Sequence, residues 1–317
     1  MAQAGGILNS QLNPNDVKTA IDAVVYAEWE LEAQPSYAAA TDSKVFKQYT
    51  TDRQSVIQEL YRGVGYWSAT GEEEEAPAAS AGIGNPKISR VLNYRKRQII
   101  SKNLFDDDQH AVVNETMKDF GSKARITKDS VAMGIFNNGF TTQLTADDAS
   151  LFSDTHTTLS GETVDNKGTA ALSPSSLSDA INALMTQKMQ DGTIGVFMPS
   201  VLLVPPALFK LATEIVGSAY LANTANNNEN YLVTKYGNLE VKQSPFLAAA
   251  AGLGGSDTAW FLLSDRHQIM RWTRQDLVTS LRNWDMSDNF DYVYMGEYRE
   301  VYDTISYEGT FGSTGLS

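Results

Sequence analysis

"FDDDQHAVVNETMKDFGSKARITKDSVAMGIFNN", residues 105–138, repeats apolar residues at intervals of three and four: Val113, Met117, Phe120, Ala124, Val131 and Ile135. That spacing places them on one face of an α-helix. Asp106, Asp107 and Asp108 precede the pattern, where negative charge complements the positive end of the helix dipole. A helix of about 30 residues spans about 45 Å at 1.5 Å per residue, with Gly121 and Gly134 as its weak points. So long a rod in a chain of 317 residues reads as the member to which the rest attaches.

Upstream, residues 60–101 mix apolar and polar side chains without helical period around Gly63, Gly65 and Gly71. This predicts a long hairpin-like excursion with a polar tip. The tip carries Glu72, Glu73, Glu74 and Glu75 in a row, and the returning arm carries Lys87, Arg90, Arg95, Lys96, Arg97 and Lys102 with no acid among them. Such an arm is too thin to bury Val64, Tyr66, Trp67, Ile88, Val91 and Leu92 by itself. It needs a second surface, and separated acidic and basic blocks suit a neighbouring copy. Further upstream, Asn13-Pro14 reads as N-cap and first helical residue, with Val17, Ile21, Val24 and Leu31 as a packing stripe.

Downstream, "LFSDTHTTLSGETVDNKG", residues 151–168, gathers Ser153, Asp154, His156 and Ser160. These are the residue types of nucleophilic catalysis, but a triad is a geometry and not a nearness in sequence. The same residues make surface turns. Ser175 or Ser176 then caps a helix with Leu177, Ile181, Leu184 and Lys188 on one face, stopped at Asp191-Gly192. VFMPSVLLVPPALFKLATEIVG reads as strand, Pro205-Pro206 and a helix begun by proline. An Asn-rich polar loop at 223–230, short strands at NLEVKQ, AWFLL and QIMRW, then LVTSLRNW and an alternating NFDYVYMGEYREVYDTISYEG complete an α+β chain with mainly antiparallel strands.

Composition narrows the function. The 25 Lys and Arg against 38 Asp and Glu give a formal charge of −13, which repels a phosphate backbone instead of releasing its counterions. Cysteine is absent, which excludes disulfides, thiolate ligands and a Cys nucleophile. His110, His156 and His267 lie far apart and form no HExxH pair, so no metal and no cofactor is expected. No basic segment followed by an apolar stretch opens the chain, and no run of about 18 apolar residues could span a bilayer. No membrane partner is expected.

The series of motifs resembles the major capsid (head) proteins of tailed bacteriophages, with the Hong Kong 97-like fold. The resemblance is carried in order by the Glu-rich tip and YRKRQIIS arm, FDDD opening the long helix, NNGFTTQLTADDASLFSDTH, the SGETVDNKG turn, LSPSSLSDAINALM, MPSVLLVPPALFKLATEIVGS and AWFLLSDR. It covers residues 60–310, with Thr157 where a proline is expected, and does not reach the first 50 residues.

The resemblance implies an N-terminal arm and leading helix (1–61), an extended loop (62–101), a peripheral domain with a spine helix (102–174), an axial domain (175–285) and C-terminal strands returning to the peripheral domain (286–317). It implies self-assembly through pentamers and hexamers into an icosahedral head that encloses double-stranded DNA without binding it specifically. Scaffold, portal and cement proteins are the implied partners, assembly in the host cytoplasm and residence in the virion the implied locations. No catalytic residue is expected, and Asp154 and His156 are read as organising a turn. The candidate intersubunit contacts, read from charge separation, are Trp67 and Glu72 to Glu75 on the loop, with Arg95, Lys96 and Arg97 on its basic arm. The rivals are an encapsulin-type nanocompartment shell, a Ser/His-dependent hydrolase, and a tail tube or decoration protein.

Overall fold

The computed structural model describes residues 14–31, 33–78, 82–107, 111–218, 231–236, 239–287 and 289–316. Asn13, Asp108, His110 and the Asn-rich stretch 223–230 lie outside the described residues. In chain order the elements are α1 (Pro14–Trp29), β1 (Lys47–Thr50), β2 (Ser55–Tyr61), β3 (Ile83–Arg90), β4 (Leu92–Ser101), α2 (Lys102–Asp106) and α3 (Val112–Asn137). There follow β5 (His156–Thr157), β6 (Thr163–Val164), β7 (Lys167–Gly168), α4 (Pro174–Met185), β8 (Pro199–Val204), α5 (Pro206–Gly217) and α6 (Tyr231–Tyr236). The last are β9 (Glu240–Gln243), β10 (Trp260–Ser264), β11 (Ile269–Arg282), β12 (Asp291–Thr304) and β13 (Thr310–Ser313).

Two sheets organise the chain. A long sheet runs β1-β11-β12-β4 and a second runs β7-β13-β10-β8-β9. In β12 the even-numbered residues Tyr292, Tyr294 and Tyr298 are buried, together with Ile100 and Leu277 of the flanking strands, against α1 and the first half of α3. This is the period of two that the sequence showed, with one face covered by helices. Strand β8 is buried almost throughout, as an apolar run covered on both faces must be. One side packs on α4 and α5, and the other faces Phe136 and Phe152. Helix α3 therefore spans two cores, one at each end: Met117 and Phe120 in the first, Met133 and Phe136 in the second.

Local details depart from the sequence reading. The acids do not open the long helix: Asp106 closes the short α2, and α3 begins after Ala111, which has φ 53° and no side-chain cap. Gly121 is no weak point. A Cβ there would lie 2.5 Å from the Val25 carbonyl oxygen, so its bare Cα is what lets α1 and α3 touch. The stripe on α1 is Val17, Ile21, Val25 and Trp29, while Leu31 is exposed. Helix α4 is capped by Ser173, not Ser175 or Ser176; Ser176 closes the capping box from the third helical position. QIMRW and LVTSLR are one continuous strand, β11. An expected boundary at 285 separates β11 from β12, yet these pair in one sheet, and β13 of the last segment joins the other sheet.

Candidate assembly surfaces

The loop at 151–168 holds a buried turn. His156 is fully buried, with Nδ1 2.8 Å from Asp147 Oδ2 and Nε2 3.2 Å from the Leu151 carbonyl oxygen. Its ring stacks on Tyr307 at 4.4 Å. Burial acts to raise Asp147, but hydrogen bonds from His156, Thr145 and the Ala149 N–H outweigh it and hold the carboxyl below its ordinary value. The partner of the histidine is thus Asp147 and not Asp154. Ser153 Oγ bonds Thr155 and Ser160 Oγ bonds Thr158. Both ring nitrogens of His156 are already occupied, and neither contacts a serine hydroxyl. Among the described residues no group of three or more His, Asp or Glu is placed to hold a metal.

The excursion is a two-stranded ribbon of β2 and β3, whose tip is described over 62–78. Alternation gives it two unlike faces. Its inner face lies on the body, with Leu60 against Ala146 and Ile305. Asp303 ties that face down by accepting from Lys87 Nζ and Ser89 Oγ, each at 2.5 Å. The outer face pairs Ile57 with Ile88 and Tyr61 with Ile83 across the strands, all four being exposed. The outgoing chain is held at its base, where the Gly65 N–H donates to Asp191 Oδ2 at 3.1 Å and the Ile194 N–H to Tyr66 Oη at 3.0 Å. Beyond that anchor Trp67 is 96% exposed. Glu72, Glu73, Glu74 and Glu75 are exposed as well. Val91, by contrast, is buried where the ribbon ends.

The basic arm divides between two surfaces. Strand alternation sends Arg95 and Arg97 to the face of the long sheet away from α3, opposite Glu297 and Met295. Lys96 pairs with Gly296, whose neighbour is Phe120 of α3, and so belongs to the other face. On the open face Arg95 grips Glu297 through Nε at 2.9 Å and Nη2 at 3.1 Å, and Arg299 Nε donates to the same carboxylate at 2.6 Å. Hydrogen bonds from Arg95 and Arg299 hold Glu297 below the usual carboxylate range. Arg97 makes no ion pair among the described residues. Three guanidinium groups against one carboxylate leave this face positive. A groove of about 560 Å³ lies here, its lining including Arg95, Lys96, Arg97, Val278, Met295 and Glu297. Glu297, Arg299, Val278 and Met295 escaped the sequence reading. The period of two in YMGEYREVY puts Met295, Glu297 and Arg299 on one face, but nothing local says which face the helices cover.

A family model described as phage capsid protein matches residues 84–302. Solved structures are similar in fold: the capsid of Myoviridae phage XM1 (14% identity, 90% of this chain and 95% of that chain, TM-score 0.52) and the capsid of a native GTA particle (10%, 91% and 94%, 0.57). A virus-like particle from Pyrococcus furiosus is similar to the same degree (9%, 93% and 98%, 0.55). No curated protein sequence matches.

Proposed function

Because this chain belongs to the phage capsid protein family, with the Hong Kong 97-like α+β fold and a structural role as a major capsid protein, we propose that it closes its shell by a loop-into-groove contact between copies. The observation that carries this reading is the ribbon. Its inner face is satisfied by its own subunit, while Ile57, Ile88, Tyr61, Ile83 and Trp67 remain in water and the tip projects four glutamates. A second copy offers what is missing: a groove lined by Arg95, Lys96 and Arg97 beside the apolar Val278 and Met295, with Arg299 next to it on Glu297. Lys96 borders the groove as well, although its register partner Gly296 faces α3.

A loop of one copy in the groove of the next is a heterologous contact, and such contacts close into rings when the rotation fits. Rings of five and six would make the pentamers and hexamers of an icosahedral shell. Each contact can be modest, because a subunit held by several neighbours gains effective concentration from each. The peripheral part of the subunit would be the long sheet with α1 and α3, and the axial part the second sheet with α4 and α5. The charge of −13 suits a wall that encloses DNA without holding it. Scaffold, portal and cement proteins would be its further partners, and assembly would take place in the host cytoplasm.

The test is expression of the chain alone, size exclusion and electron microscopy of the large particles. Closed shells, or rings of five and six, are expected. Changing Glu72, Glu73, Glu74 and Glu75 together to Lys should abolish them, and adding Arg95→Glu and Arg97→Glu in the same chain should restore them. Shells that survive the first change, or fail to return with the second, would refute the contact while leaving the capsid role intact.

A further inference from the structure

Away from the loop and the groove, the end of α1, the 33–42 segment, the middle of α3 and the start of β11 enclose a cleft of about 480 Å³. Two cations of α3, three residues apart, line it, and among the described residues neither makes an ion pair. Lys128 is only 4% exposed, yet among the described residues its ammonium meets no acceptor and no carboxylate within ion-pair distance; it rests 3.9 Å from the centre of the Trp29 ring. Arg125 has a buried Nε with no hydrogen-bond partner among the described residues. A buried cation is ordinarily paired, because removing it from water is costly.

Among the described residues Glu300, Asp276 and Asp129 act on Lys128 only from beyond ion-pair distance. Arg271 holds Glu300 at 2.9 Å and donates to Gln48 Oε1 at 2.9 Å. Lys242 holds Asp42 at 2.8 Å. Asp129 accepts from the Ala40 N–H at 2.8 Å and from the Tyr37 hydroxyl at 3.0 Å. Burial, and then Arg271, push Lys128 below its ordinary value, and the opposing effect of Glu300, Asp276 and Asp129 does not make this up.

We propose that this cleft is a carboxylate-binding site, which takes one aspartate or glutamate side chain from an acidic peptide segment of a partner protein. Lys128 and Arg125 hold the carboxylate. Trp29, Pro35 and Tyr37, which also line the cleft, pack the residues on either side of it. A nucleic-acid phosphate is the poorer fit, because Glu30, Asp42 and Asp276 in the wall of the cleft repel an extended polyanion more than a single carboxylate. The site uses none of the residues of the loop-into-groove contact and stands or falls apart from it.

The test is isothermal titration calorimetry of the full chain with N-acetyl-Leu-Glu-Leu-amide and with its Gln counterpart. The Glu peptide should bind at least about tenfold more tightly. Lys128→Met should remove that preference and Arg125→Gln should reduce it. Without ligand, Lys128→Met should raise the unfolding temperature, since it deletes an unpaired buried charge, and this separates a lost site from a lost fold. Equal binding of the two peptides, binding of neither, a preference that survives Lys128→Met, or displacement of the Glu peptide by an equal concentration of inorganic phosphate would each overturn the proposal.

Discussion

His267 and Glu308 are linked through Gln268, the neighbour of His267 in the chain, whose side chain donates to Glu308 Oε2 at 3.0 Å. Burial pushes His267 down to about 4; its Nδ1 accepts the Ile269 N–H and its Nε2 faces the Lys44 carbonyl at 2.9 Å, a pattern that the neutral ring satisfies. Burial pushes Glu308 up to about 7, against the hydrogen bonds it accepts from Gln190. The two shifts have opposite consequences. A histidine lowered in the folded state gives full stability above its unfolded value near 6.5 and loses it as pH falls toward 4. A glutamate raised from 4.5 to about 7 gains stability as pH falls through that interval. Each is worth about 3 kcal/mol, so between pH 4.5 and 6.5 they nearly cancel. Urea midpoints of the dispersed chain should therefore be flat for this pair. Glu308→Gln should expose a loss toward acid, and His267→Gln a gain; parallel profiles for the two variants would contradict the assignment.

At the scale of elements, the contact between α1 and α3 depends on one missing side chain. Gly121→Ala places a methyl 2.5 Å from the Val25 carbonyl oxygen and 3.1 Å from Glu28 Cβ. Backbone cannot rotate away as a side chain can, so the helices must part and Val25 and Trp29 lose burial. A loss of about 2–4 kcal/mol is expected, read as a lower thermal midpoint. An unchanged midpoint would mean that α1 contributes little to the fold. The helix pattern of α3 was legible because Met117, Phe120 and Ile135 recur on one face whatever lies against them. The identity of that neighbour was not. The apolar stripe of α1 reads almost equally well through Val24 or Val25, and only docking on Gly121 selects Val25.

For the whole molecule, exposure of Trp67 distinguishes assembly from folding. Trp67→Ala removes a side chain that touches little in the single subunit, so the subunit's thermal midpoint should stay within about 0.5 kcal/mol of wild type while shell yield falls. A fall in both would place Trp67 in the subunit's own core. The contact of the acidic tip with the groove should also weaken with salt, since screening shortens from about 8 Å at physiological strength to about 3 Å at 1 M. Light scattering at the two salt levels should show slower assembly at the higher one, and an unchanged rate would leave the apolar face as the driving contact.

The sequence by itself determined the elements whose signals are local: the long helix, the strand, Pro-Pro and helix at 199–217, the alternating strand at 291–304, and an excursion without enough partners of its own. Periodicity, proline and charge runs act within a few residues, so they are legible without neighbours. Tertiary structure decided what depends on pairing across the chain. It gave His156 its Asp147, made one strand of 269–282, and put β13 beside β10 instead of β12. It also split Arg95 and Arg97 from Lys96. Adjacent residues of a strand point to opposite faces, and which face stays open is fixed only when distant helices close over the other.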